Sequence, residues 1–415
     1  MKGVAATHRH VYQAPIIDLQ CNWLIPEIAI KILQHLYYRD VTSFSCSCKQ
    51  AYSIIYQEDF WPKLADAIFS SNEAPEKLNP RKKFKIYSNL FQNRNCEKSI
   101  EVKDCLSMGN RIVWQNRLVF LHQTERLAAL GTMLRLEMID LKELKMVEDH
   151  SIEDYFYEMT ACQDQLVFGL ADGRLGVTSI SNILNIDKFY HHFRKFERLA
   201  CNPESKIVAA ADEKGTILVW KVKDEPAPSQ IFSISVNVIN DLSVGHDVIV
   251  ARDEQYVFSL YHTSEKLISK KLVLPDVSHA AVYQDQLVTS HNEIISNENT
   301  APVVKIWDAK TIELKETINL AQLSWIVNPL HDTDFWRGCD WTEPCMEGVF
   351  VSQVRRKVNR PCIVVWNLKT KKGSGLNDVD PGVVKNDFLI HKGQFIITKY
   401  CYPNIIKLFD FSHEL

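Results

Sequence analysis

Arg355, Arg356, Lys357 and Arg360 place four positive side chains within six positions. Closely spaced guanidinium groups take carboxylate or phosphate oxygens two at a time, so this run is chemically suited to an acidic or phosphorylated peptide. The plainer reading is a solvated loop, where the same charges cost little. A second donor set is Cys339, Cys345 and His331. Its spacing fits no zinc pattern and leaves the fourth ligand undefined, so these read as ordinary loop residues and no metal or other cofactor is expected. Cys46 and Cys48 stand two apart, on different sides of a helix, and read as small packing residues. The chain contains no glycine-rich phosphate loop, no Gly-x-Ser-x-Gly elbow, no His-Glu-x-x-His and no Cys-x-x-Cys. It is therefore not expected to be an enzyme.

The basic run must be held by something, and from about residue 99 onward short β-rich segments alternate with Gly, Asn, Asp and Pro. Their ends repeat. Ile139, Thr178, Trp220, Tyr261, Trp307, Trp366 and Phe409 are spaced by 39, 42, 41, 46, 59 and 43 residues, close to the roughly 40 to 45 of a four-stranded propeller blade. Seven ends imply seven blades. In the third, Arg198 to Cys201, Lys206 to Ala211, Thr216 to Val222 and Gln230 to Val236 are the expected strands. The seventh lacks a fourth strand, and Ser99 to Cys105 is expected to supply it, removing an exposed edge. Long insertions at His291 to Ala301 and Val354 to Pro361 join second to third strands and should share one face, called the top, which puts Arg355, Arg356, Lys357 and Arg360 there. His331 to Glu347, with Trp336, Arg337 and Trp341, is expected to join first to second strands on the opposite face. Trp307-Asp308, with Phe409-Asp410, Trp366-Asn367 and Ile139-Asp140 as variants, is similar to the WD40 signature. No Gly-His pair accompanies it at the expected blade positions, so the family's hydrogen-bond network inside each blade is not expected in full.

Upstream the period is helical. Ile25, Ile28, Ile32, Leu33 and Leu36 make an apolar surface wider than one core stripe. Pro26 suits a first helical turn, and Glu27 suits the positive end of the helix dipole. This helix is expected to run to about Tyr37, with Asp40 capping a second that carries Phe44, Cys48, Tyr52 and Ile55 on one face. Trp61 and Leu64 close the unit. About 40 residues cannot bury enough surface to stand alone. Ile25-Pro26-Glu27-Ile28, the apolar helix, Asp40-Val41, Cys46-Ser47-Cys48-Lys49, Tyr52 and Trp61 together resemble the F-box. That resemblance implies docking on a Skp-family adaptor through Leu24, Ile25, Pro26, Ile28, Ile32, Leu33, Leu36, Val41 and Phe44, and through it on cullin and RING subunits. Pro80 then opens a basic amphipathic helix with Phe84, Tyr87 and Phe91 on one side, expected to be a rigid spacer that docks on a neighbouring domain.

The fold class expected is mainly β with a small α domain: a tail over residues 1–19, a three-helix F-box over 20–64, a helical connector over 65–98 and a seven-bladed WD40-like β-propeller over 99–415. Proteins joining an F-box to such a propeller resemble substrate receptors of SCF ubiquitin ligases. A non-degradative scaffold and a pathogen effector mimicking a host F-box protein are the other readings. With 46% hydrophobic residues, 24% charged residues and a formal net charge of -3, neither bulk nucleic-acid binding nor membrane insertion is expected. Eleven cysteines form no paired framework, which suits reduced thiols in the cytoplasm or nucleus.

Overall fold

The computed structural model describes residues 26–47, 49–69, 79–92, 96–101, 111–114, 117–124, 133–140, 145–152, 156–162, 165–170, 173–179, 188–191, 196–202, 204–222, 229–235, 238–263, 268–296, 299–325, 336–346, 348–356, 361–376, 388–391, 395–400 and 405–412. The chain divides into two compact units, Met1–Ser88 and Asn89–Leu415.

Five helices are described: α1 (Pro26–Leu33), α2 (Tyr38–Ser45), α3 (Lys49–Ile55), α4 (Phe60–Ile68) and α5 (Pro80–Phe91). The first ends earlier than expected. Its last amides tighten to three-residue bonds, His35 N–H to Ile32 O at 3.1 Å and Leu36 N–H to Leu33 O at 3.0 Å, and Tyr37 is extended at φ -92, ψ 163. Asp40 is not the cap but sits in the first turn of α2, where its Oδ2 accepts from the Tyr37 N–H at 3.4 Å. The expected long second helix is two helices. Ser45 and Ser47 donate their hydroxyls to Thr42 O at 2.5 Å and Phe44 O at 2.7 Å, and such local bonds compete with helix continuation. Tyr52 is consequently exposed while Ile55 is buried, and Cys46 is exposed rather than packed.

Ala29, Leu33, Val41, Ile54, Phe60, Leu64 and Phe84 form the interior of this unit. Phe84 carries α5 into it, with ring centroids 6.0 Å from Trp61 and 6.5 Å from Tyr38. Ser88 Oγ accepts from the Tyr38 N–H at 2.9 Å and donates to Phe84 O at 2.9 Å. Arg81 Nε donates to Tyr38 Oη at 2.9 Å, with its guanidinium 5.6 Å from the Trp61 ring. The basic residues of α5 thus finish a packed helix, with Arg81 and Lys82 on the outside.

The second unit contains seven sheets among the described residues, antiparallel except for one short edge strand. In chain order the first six span Arg111–Ile152, Phe156–His191, Phe196–Ser235, Ile239–Val273, Val277–Asn319 and Trp336–Gly375, and the seventh holds three strands between Phe388 and Asp410. Each is a blade. The seventh is completed by Cys96–Glu101, antiparallel to Ile405–Asp410 with Ser99 opposite Lys407. The closing strand starts three residues before the expected Ser99, and residues 102–105 lie outside the described set. In the third blade the strands are Phe196–Asn202, Ile207–Asp212, Thr216–Lys221 and Ser229–Ser235, within a few residues of the expectation. Ile207–Asp212 is buried at every position because neighbouring blades cover both its faces, so it reads as a continuous apolar run rather than an alternation.

Two insertions differ from expectation. Residues 291–301 are not an open loop: Gln286–Ser296 and Asn299–Asp308 continue as one long hairpin, with Ile294 opposite Thr300. Trp336–Met346 is itself the first strand of the sixth blade, paired with Val349–Arg356 so that Trp336 stands opposite Arg356 and Gly338 opposite Arg355. Its Trp336 end therefore lies at the top, where second strands turn into third, and not on the opposite face. Ser324–Trp325 adds a short parallel strand to the outer edge of that blade.

The hydrogen-bond network inside the blades survives in part. Trp307 Nε1–H donates to Thr289 Oγ1 at 2.9 Å, and Trp366 Nε1–H donates to Ser352 Oγ at 2.8 Å. In each case the hydroxyl stands two residues beyond the one paired with Trp, Leu287 or Phe350. In the third blade Val208 pairs with Trp220, and the equivalent position is Ala210. Trp220 Nε1 is buried with no partner among the described residues.

Candidate docking surfaces

On α1, Ala29 and Leu33 turn inward while Ile28 and Ile32, four residues apart on one side, are 45% and 51% exposed. A helix that has already buried one apolar stripe carries a second. Leu36 and Phe44 are half-buried. Pro26 is the first residue of α1, and Leu24 and Ile25 lie outside the described residues. Leu33 and Val41, expected as contact residues, are 1% and 0% exposed. They brace the surface from within and do not form it, because the inward side of α1 and α2 fills the core of the unit. Covering a half-exposed isoleucine recovers on the order of 1 kcal/mol at roughly 25 cal/mol per Å².

A second exposed apolar pair, absent from the expected site, is Tyr52 and Tyr56, stacked with ring centroids 4.2 Å apart. The four-residue spacing of two aromatics was the available signal. Beside α2, burial and the Asp40 carboxylate together push the Tyr37 phenol up to about 12, so it remains a neutral donor at any physiological pH.

On the propeller, Arg355 and Arg356 lie in the strand Val349–Arg356 rather than in the loop, with Arg355 opposite Pro361. Lys357 and Arg360 lie outside the described residues. Cys339 and Cys345 are both buried, and burial pushes the Cys345 thiol up to about 12. No group of three or more His, Cys, Asp or Glu that could hold a metal ion occurs among the described residues, and no described helix is long and apolar enough to cross a membrane.

At the top of the second to fourth blades polar groups tie the first strands to their neighbours. Glu158 accepts from the Leu199 N–H of the next blade through Oε2. Arg198 Nε donates to Asn240 O at 2.6 Å, and Arg252 pairs with Asp241. Burial, against the pull of Arg198 and the Leu199 N–H, pushes the Glu158 carboxyl up to about 7.

Residues 23–63 match the family model described as the F-box domain. The WD40 domain of Pan2 from Neurospora crassa is similar over 78% of this chain and 97% of that one, at 11% identity and a TM-score of 0.52. A chain in the crystal structure of the mitotic checkpoint complex is similar over 75% of this chain and 90% of that one, at 10% identity and a TM-score of 0.49. The likeness to the Pan2 domain, at such an identity, is likeness of fold. No curated protein matches the chain. Residues 23–63 thus match an F-box, and the sheets that follow have a fold like that of a WD40 propeller. F-box domains generally bind Skp-type adaptors. Both families are generally non-catalytic adaptors.

Proposed function

We propose that this chain is the substrate-recruiting subunit of an SCF-type ubiquitin ligase. The observation that carries the reading is the exposed Ile28 and Ile32 pair on α1 inside the F-box match. In this account α1 docks on a Skp-family adaptor, which brings cullin and RING subunits. The propeller recruits a protein client, and Arg355, Arg356, Lys357 and Arg360 favour an acidic or phosphorylated stretch of it. The chain supplies proximity and orientation, and its partners supply the transfer chemistry.

Affinity mass spectrometry with the intact chain, and with one lacking residues 20–64, tests this. The adaptor and cullin should disappear with the deletion while client proteins are retained. Adaptor and cullin recovered equally from both forms would refute the assignment.

A further inference from the structure

We propose that Tyr256, backed by Arg252 at the top of the fourth blade, is a client-gripping residue that receives a cationic side chain of the client. The inference rests on the reading of the propeller as the client-binding unit and adds a residue and a ligand chemistry to it.

The turn itself does not ask for a tyrosine. In the third blade Asp212 Oδ1 accepts from the N–H groups of Lys214 at 2.9 Å and Thr216 at 2.8 Å, and the Gly215 N–H donates to Asp212 O at 3.0 Å. In the fourth, Asp253 Oδ1 accepts from Gln255 and Val257, each at 2.9 Å, and the Tyr256 N–H donates to Asp253 O at 3.2 Å. The two turns match bond for bond. Gly215 takes φ 76, and Gly173, in the corresponding turn of the second blade, takes φ 85. Tyr256 takes φ 59, a conformation in which glycine is unstrained and a bulky residue is an outlier. Lys206, Gln284, Ile312 and Lys371 take a similar φ in other turns, but among the described turns between second and third strands glycine fills this position in two and Tyr256 fills it in the fourth blade at a conformational cost.

That side chain is not consumed by the core. Tyr256 is 43% exposed. Arg252, whose charge is matched by Asp241, lies with its guanidinium carbon 5.6 Å from the ring centroid, which holds the ring from one side and leaves the rest to solvent. The exposed charges on the two turns are Glu213, Lys214 and Glu254, two acids against one base. An exposed aromatic face on a turn that also carries the exposed acid Glu254 suits an ammonium or guanidinium group. Client segments of opposite charge at the fourth and sixth blades would also fix the direction in which a client crosses the top face.

The test uses the full chain with its adaptor, probed with positional peptide libraries in which one position is fixed as Lys or Arg, Asp or Glu, or Leu. The parent should retain the Lys and Arg pools, Tyr256→Phe should keep most of that binding, and Tyr256→Gly should lose at least about tenfold. Since Tyr256→Gly relieves the backbone, its melting temperature should stay within about 2 °C of the parent or rise. Preference for acidic or leucine pools, equal binding by Tyr256→Gly, absence of peptide binding by the parent, or a large fall in melting temperature would each overturn the proposal. Adaptor co-purification is read alongside. Its loss in the parent sinks the receptor reading, whereas its retention with unchanged peptide binding by Tyr256→Gly sinks only the role of Tyr256.

Discussion

Replacing Glu158 by Gln should make the propeller more stable at alkaline pH and leave it unchanged in acid. The carboxyl sits between the first strands of the second and third blades, bonded to the Leu199 N–H. Its folded pKa is raised from an ordinary 4.5 to about 7, chiefly by burial, with Asp241 and Glu197 adding smaller repulsions. A raised carboxylate pKa means that the folded state holds the proton more tightly than the unfolded chain. Its favourable contribution is therefore full below about pH 4.5, falls as pH rises through the window to about 7, and is constant above it. The shift corresponds to at most about 3 kcal/mol. Gln keeps an oxygen for the Leu199 N–H and carries no charge. Urea midpoints of parent and Glu158→Gln, measured from pH 4.5 to 8, should coincide at the acid end and separate by up to that amount at the alkaline end, the variant being the more stable. A difference that stays flat across the range, or a variant weaker at pH 8, would refute this account of the strand junction.

Two further outcomes follow from burial. Ala210→Ser should give Trp220 Nε1–H the hydroxyl that Thr289 and Ser352 supply in the fifth and sixth blades, raising stability by about 1 kcal/mol in denaturant titration; a loss would show that the site has no room for the oxygen. Leu33→Ala should destabilise the helical unit by about 2–5 kcal/mol in thermal or urea melts because Leu33 is a core residue, and a cost near zero would place Leu33 on the docking face after all.

Much of the propeller was legible because four strands per blade repeat with nearly constant length, and because an edge strand must be paired somewhere, which pointed to the segment before the first blade. The sixth blade was not. Trp336–Met346 contains Gly338 and Pro344, both unfavourable in a regular strand, and reads as a loop. The pairing absorbs them at three irregularities, between Trp336 and Gly338, Cys339 and Trp341, and Pro344 and Met346. The long hairpin of the fifth blade was hidden in the same way. Asn292 and Glu293 look like loop residues, yet Asn292 Oδ1 accepts from the Cys339 N–H at 2.7 Å and Glu293 pairs with Lys305 at 2.7 Å. On α1 the apolar residues run around much of the helix, so spacing located the helix but not its inward side. Packing of α1 against α4 leaves Leu33 covered and Ile32 exposed. Tyr256 escaped notice because nothing in Asp253-Glu254-Gln255-Tyr256 announces a left-handed turn without the glycine that marks it elsewhere.

The central claim is that α1 presents Ile28 and Ile32 to an adaptor. Titration of a purified Skp-family adaptor into the intact chain and into an Ile28→Asp, Ile32→Asp double variant, with melting curves showing both to be folded, measures this directly. The parent should bind and the variant should lose at least about 100-fold in affinity, since each change exchanges covered apolar surface for a desolvated charge. Parental affinity in a folded double variant would contradict the account.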